Sequence, residues 1–483
     1  MAGVLILPSA SPTPWWVART DVTRRIQMPD RALITGALVF DGTSDELQRV
    51  DILVEGDEIR AVGTNLDAIA ERIDAAGQWI TPGFIDMHAH TTVLGMEALP
   101  MMVGLGITTV RDLGGDTARA KQMKLDVECG KVVGPNLIYS GPLLQEAGAT
   151  SSGAPRRGNG AGAVPFTSEA EAIDAVRRLI EEEGVQSLKI YRSVREPIAA
   201  AILKTAEGRV PVTGHLGLTS SAFAFQHGIG GVEHITVSII RDIAPPNRRL
   251  AADDHAEVPG HNQRVVSAWA DMDINGPEVQ QWLRIFLDSK GFIDATISLG
   301  AARPKPDDPR LTLVPASFCA AYVGEMRVAA GAQAPRSEYS DPEETARARE
   351  SQRAIFRLIH ESGGDLVVGT DMLPGSLPGY GYHAELTTFQ NRGMKPVEVL
   401  RAATSKAAKH LWRKDIGVVA PGAKADLVFF DQDPMADIAA ISSISRVMRG
   451  GVVHGAARML AIAEPDTTKF FPPDPAWLPT TRL

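Results

Sequence analysis

The chain has 483 residues, 44% of them hydrophobic and 22% charged, an ordinary soluble balance with enough apolar residues for a sizeable core without covalent staples. A mild formal net charge of -9, with no Lys/Arg-rich run, speaks against nucleic acid as the main partner. Only Cys129 and Cys319 are present, which argues against a disulfide framework and for a reducing compartment.

Residues 1–30 read as an irregular arm with Pro8, Pro12 and Pro14, whose Trp15-Trp16 pair packs either on a neighbouring subunit or on its own domain. The short apolar run 4–7 lacks a basic residue ahead of it, so no signal peptide is expected. No apolar stretch approaches the roughly 18–20 residues of a spanning helix. The expectation is a cytoplasmic enzyme with no membrane partner.

From Ala32 the pattern becomes short strands (32–34, 37–40, 50–54) punctuated by Asp41-Gly42 and Gly56-Asp57, a meander of hairpins. Strand-like text returns at 425–430 and 445–453. Neither end holds enough strands to close a core, so residues 31–82 and 413–460 are expected to form one small β-sandwich domain, followed by a tail, 461–483. That tail, with Phe470-Phe471 and Trp477, either makes a subunit contact or lies along its own barrel.

Between these ends, short apolar strands alternate with amphipathic helices. Strands are expected at 107–111, 188–191, 212–215, 231–234, 292–299 and 366–371, and helices at 168–182 and 197–204. Residues 83–412 have room for eight such units, so the fold class is α/β, a (β/α)8 TIM-like barrel. Residues 241–290 and 301–350 are polar and interrupted by prolines, and read as insertions over one barrel face, either lids or surface decoration.

The strongest chemical signal is Asp86-Met87-His88-Ala89-His90 at the end of an apolar strand. Side chains on a strand alternate faces, so His88 and His90 point the same way, and two imidazoles on one side make half of a metal site. His215, His234 and Asp371 each end a later strand, where barrel chemistry collects. Singly, each is more often structural; together they form a ligand set. Lys189, inside Leu188-Lys189-Ile190-Tyr191, is either a salt-bridged lysine or one whose amine has become a carbamate, an anion able to bridge two cations. Tyr191 lies on the same side as Lys189 and serves either as a donor to the substrate carbonyl or as a packing aromatic. His383 either reaches the substrate or braces the loop after Asp371. Arg192 either meets a substrate carboxylate or forms a surface ion pair. His227, His255, His261, His360, His410 and His454 lack strand-end context and read as structural or surface residues.

The chain resembles the amidohydrolase superfamily, in its imidazolonepropionase-like and Xaa-Pro dipeptidase-like branch, whose members include hydrolases of N-acyl amino acids and of ochratoxin. The matching text runs from Pro82-Gly83-Phe84-Ile85-Asp86-Met87-His88-Ala89-His90 through Thr108-Thr109-Val110-Arg111-Asp112-Leu113-Gly114-Gly115 and Leu188-Lys189-Ile190-Tyr191. It continues with Gly214-His215, Gly231-Val232-Glu233-His234 and Gly369-Thr370-Asp371, and closes on Gly422-Ala423-Lys424-Ala425-Asp426-Leu427-Val428. The resemblance implies two divalent cations, zinc foremost and manganese, cobalt or iron as alternatives. It assigns His88, His90 and Asp371 to one, His215 and His234 to the other, and carbamylated Lys189 to both. It also implies that Asp371 moves the proton, and that the chain forms a homo-oligomer. One departure stands out: many relatives have a histidine in a Gly-rich segment after the third strand, and residues 141–153 here contain none. The expected activity is hydrolysis of a C–N bond in a small amide such as a dipeptide or N-acyl amino acid. Ester, lactone or phosphotriester hydrolysis, decarboxylation, and a metal-free relative of the same fold are the alternatives.

Overall fold

A computed structural model of the chain describes residues 31–147, 163–256, 258–298, 312–314, 341–372 and 377–462. The arm with Trp15-Trp16, the tail beyond 462 and most of 301–340 lie outside the described residues.

Eight strands come first: β1 (Arg31–Thr35), β2 (Leu38–Val39), β3 (Gln48–Arg49), β4 (Asp51–Glu55), β5 (Glu58–Gly63), β6 (Glu71–Asp74), β7 (Trp79–Pro82) and β8 (Phe84–Ala89). Among the described residues nine follow through the middle: β9 (Ile107–Asp112), β10 (Asn136–Tyr139), β11 (Leu143–Glu146), β12 (Ala163–Phe166), β13 (Leu188–Ile190), β14 (Val212–Gly214), β15 (Gly231–Glu233), β16 (Phe292–Asp294) and β17 (Asp365–Val367). The chain closes with β18 (Leu427–Phe430), β19 (Ile444–Arg449) and β20 (Val452–Gly455).

The two ends of the chain share a sheet, in the order β20-β19-β18-β7-β2-β3, beside a four-stranded sheet β5-β4-β1-β6. One apolar cluster unites them: Ile52, Val54 and Ile59 from the first end with Leu427, Phe429 and Met448 from the other.

The middle strands form parallel sheets in the orders β10-β9-β8 and β12-β11-β13-β14-β15-β16-β17. The chain just after β17 reaches β8: Met87 N–H donates to the Val368 carbonyl at 3.0 Å, and Ala89 bridges Met372 in parallel. On the other side, Gln186 N–H donates to the Tyr139 carbonyl at the end of β10, at 3.0 Å. This α/β order fits a TIM-like barrel. Every residue of β8 is buried, as expected for a parallel strand covered on both faces.

The helices follow their local signals. Ser168 caps Glu169–Glu181, accepting the Glu171 N–H. Residues 241–290 depart from the expected surface insertion, because helices His261–Ala270 and Pro277–Ser289 form there. Val279, Trp282, Leu283 and Phe286 are buried at the i, i+3, i+4, i+7 spacing of a packed face. Pro277 sits in the first turn, where its missing N–H costs nothing, so it starts the helix rather than interrupting it.

Candidate metal centre

Strand alternation on β8 puts Asp86, His88 and His90 on one side, and the His88 and His90 ring centroids are 5.4 Å apart. Asp86 is buried and ties this strand to the segment after β17. It accepts Thr370 N–H at 3.1 Å and Thr370 Oγ1–H at 2.8 Å. Burial, aided by Asp294, raises the Asp86 carboxyl to about 7.

Thr370 thereby holds the turn in which Asp371 takes a left-handed conformation, φ 48°. The turn delivers the Asp371 carboxylate to both strand histidines. Oδ1 lies 2.8 Å from His90 Nε2 and 3.3 Å from His88 Nε2. Burial alone would raise this carboxyl, but His88, His234 and the hydrogen bonds from His88 and His90 hold it well below the usual range. Beyond His90, Asp112 pins the following turn by accepting Thr91 Oγ1–H at 2.6 Å and Thr92 N–H at 2.9 Å.

His234 also has a left-handed backbone, φ 59°. On a regular strand Glu233 and His234 would face opposite ways; the turned backbone lets both approach His88. The His234 ring centroid is 4.9 Å from that of His88, and its Nε2 is 3.9 Å from Asp371 Oδ2. Burial, with His88 and Lys189 alongside, lowers the His234 imidazole to about 3 despite Asp371. His215 lies on the outer side, its ring 4.4 Å from that of His234 and 5.2 Å from that of Tyr191. Burial, His234 and Lys189 hold it well below its usual value.

Lys189 is 2% exposed, with Nζ 2.8 Å from His88 Nε2 and 2.9 Å from Glu233 Oε2. Burial and Lys189 push the His88 imidazole down, but Glu233, Asp371 and Asp294 outweigh them and raise it to about 9. Two groups of ligand atoms lie within 4.8 Å of one another: His88, His90 and Asp371, and His88, Glu233 and His234. Five of the six expected ligands (His88, His90, Lys189, His234 and Asp371) thus meet directly; His215 reaches the cluster through His234. Imidazole nitrogens and carboxylate oxygens suit zinc and similar divalent ions, so the donor set fits a metal.

His383 Nε2–H donates to the Leu105 carbonyl at 2.8 Å. Tyr191 stands at the His215 edge with the Arg192 guanidinium over its ring. His410 pairs with Asp365 and His261 with Asp254.

Four residues without an assigned role in the sequence support the cluster. Arg111, 1% exposed, donates to the Met87 carbonyl and to Thr213 Oγ1, and pairs with Glu233 Oε1 at 3.2 Å. Glu233 is the second, its carboxyl held far below its ordinary value by Lys189, His88 and Arg111 against the effect of burial. Asp294 Oδ2 meets His88 Nδ1 at 2.9 Å, and Thr296 Oγ1 meets His234 Nδ1 at 2.8 Å. Arg111 and Glu233 were visible inside the motifs; Asp294 and Thr296 left no local signal.

Comparison with known proteins bears on this cluster. The Amidohydrolase family profile matches residues 317–453. Adenine deaminase 2 of Rhizobium etli is 24% identical over 476 residues, covering 94% of this chain but only 63% of that protein. Imidazolonepropionase of Streptomyces griseus is 23% identical over 438 residues, covering 84% of this chain and 92% of the relative. Among solved structures, a bottromycin amidohydrolase superposes with a TM-score of 0.68 at 22% identity, covering 95% of this chain and 96% of the other. A Xaa-Pro dipeptidase with bound methionine gives 0.61 at 18% identity, covering 88% and 100%. The profile match takes in Asp371, and together these likenesses support the amidohydrolase superfamily.

Proposed function

We propose that the chain is a metal-dependent hydrolase that cleaves the C–N bond of a small amide, such as a dipeptide or N-acyl amino acid. The observation that carries this is the convergence of His88, His90 and Asp371 ligand atoms within 4.8 Å, at the C-terminal ends of parallel strands. The fold belonging to this reading is a closed (β/α)8 barrel over 83–412, with a β-sandwich from 31–82 and 413–460.

Two divalent cations, zinc first, would be held by His88, His90 and Asp371 and by His215 and His234, with carbamylated Lys189 between them. Such ions supply Lewis acidity and a nucleophile at neutral pH. Carbamylation joins the neutral Lys189 amine to the carbon of carbon dioxide and releases one proton. The nitrogen, 2.9 Å from Glu233 Oε2 before modification, keeps one hydrogen. Asp371, held anionic, accepts the proton of the attacking water and returns it to the leaving nitrogen, a contribution of about 10²–10⁴ in rate. Tyr191 O–H orients the substrate carbonyl. Arg192 beside it favours a substrate with a free carboxylate.

Binding of zinc or manganese to the stripped protein and turnover of dipeptides and N-acyl amino acids test the proposal together. Stoichiometric metal with metal-dependent amide hydrolysis is expected. Turnover confined to esters, lactones or phosphotriesters would redirect the chemistry, and a protein that binds no cation would remove it.

A further inference from the structure

Strand β16 contributes neither imidazole nor lysine to the cluster, yet its C-terminal end touches two of the rings. Asp294 Oδ2 meets His88 Nδ1 at 2.9 Å. The Asp294 backbone carbonyl accepts the His234 N–H at 2.9 Å. Two residues on, Thr296 Oγ1 meets His234 Nδ1 at 2.8 Å. In each ring the nitrogen held by β16 is Nδ1, and the nitrogen left facing the pocket is Nε2.

Thr296 is held at some steric expense. Its φ of 43° lies in the left-handed region, which a β-branched residue avoids. The two residues after it explain why it stays there. Glu385, fully buried on helix Tyr380–Asn391, accepts Ile297 N–H with Oε1 at 2.8 Å and Ser298 N–H with Oε2 at 2.7 Å. One carboxylate therefore grips two consecutive amides and over-determines the turn. Backbone strain of this kind concentrates where geometry must be exact for function.

We propose that the end of β16, Asp294 to Ser298, is a splint that sets which nitrogen of His88 and His234 faces the cation pocket. Thr296 is the positioning residue for His234, and Glu385 clamps Thr296 in place. A metal-ligating imidazole must present a bare nitrogen, and the partner of its other nitrogen decides which one that is. As acceptor from His234 Nδ1–H, the Thr296 hydroxyl would leave a bare Nε2 toward Asp371. The inference rests on the metal-centre reading, but the tautomer it predicts exists without metal.

The test uses the full chain with Thr296→Val, Thr296→Ser and Glu385→Ala. Valine keeps the shape and the branched Cβ and removes only the hydroxyl; serine restores it. In chelator competition with cobalt(II) on the stripped protein, Thr296→Val should weaken binding by about 10–100-fold, the usual effect of losing a partner to a ligand. Thr296→Ser should stay near wild type, and Glu385→Ala should weaken binding in the same direction. In metal-free, ¹⁵N-histidine-labelled protein, His234 should be the Nδ1–H tautomer in wild type and Thr296→Ser, and move toward Nε2–H in Thr296→Val. Unchanged affinity and an unchanged tautomer in Thr296→Val would overturn the splint. If the wild type bound no cobalt, the metal reading would fall while the tautomer measurement still decided the splint. A Glu385→Ala chain that does not fold leaves the decision to the valine and serine pair.

Discussion

His88 and Asp294, 206 positions apart, meet at 2.9 Å through Nδ1 and Oδ2 in a fully buried contact. The carboxylate packs against Gly369, where an added Cβ would lie 2.3 Å from its other oxygen. Gly369→Ala is therefore expected to push Asp294 off His88 and to weaken metal binding more than it lowers thermal stability. Metal stoichiometry beside a melting curve checks this; full metal content would show the contact to be dispensable.

Arg111 is the counter-cation of the interior. Arg111→Met leaves Glu233 buried without its guanidinium, and breaking a buried pair by removing one partner costs about 3–5 kcal/mol. The denaturant midpoint should fall accordingly, and adding Glu233→Gln should recover part of the loss. A double variant as unstable as the single one would mean that packing, not pairing, is what Arg111 supplies.

Lys189→Ala is expected to lose both bound metal and activity, since the side chain that would carry the bridging carbamate, 2.8 Å from His88 Nε2, disappears with it. A small carboxylate such as formate should restore part of each by occupying the vacated place. Unchanged turnover in this variant would refute the bridging role.

Glu385 predicts a pH dependence that can be read away from the metal ligands. Burial is the main cause of its rise from 4.5 to about 7, with Asp294 adding to it and the Ile297 and Ser298 bonds opposing it. Between those values the folded chain binds a proton that the unfolded chain has released, so stability falls as pH rises through the window and levels off above 7. Glu385→Gln does not titrate. Its stability relative to wild type should therefore improve by roughly 3 kcal/mol between pH 4.5 and 8, whatever its starting deficit. Thermal midpoints at pH 5 and 8 check the sign, and a difference independent of pH would contradict it.

The pattern of the chain carried the parts of this site that follow from local geometry. His88 and His90 share a face because a strand repeats every two residues, and Ser168 begins its helix because its hydroxyl meets an unpaired N–H. The supporting layer was not legible for the converse reason. Asp294 is one carboxylate in an apolar strand, and its partner lies 206 positions away along the chain. Glu233 would face away from His234 on a regular strand, and only the left-handed backbone of His234 brings the two together. Helix Pro277–Ser289 was hidden by charges on its outer face, although its buried stripe has helical spacing.

Strand β7 is hydrogen-bonded on one side to β18 and on the other to β2, and leads through Gly83 directly into β8. The strand that leads to His88 and His90 is thus anchored by residues some 340 positions further along the chain. A nascent polypeptide cannot complete the β7 ladder until β18 has emerged, so a truncation before Leu427 would loosen the strand that leads to two histidines some 340 positions upstream.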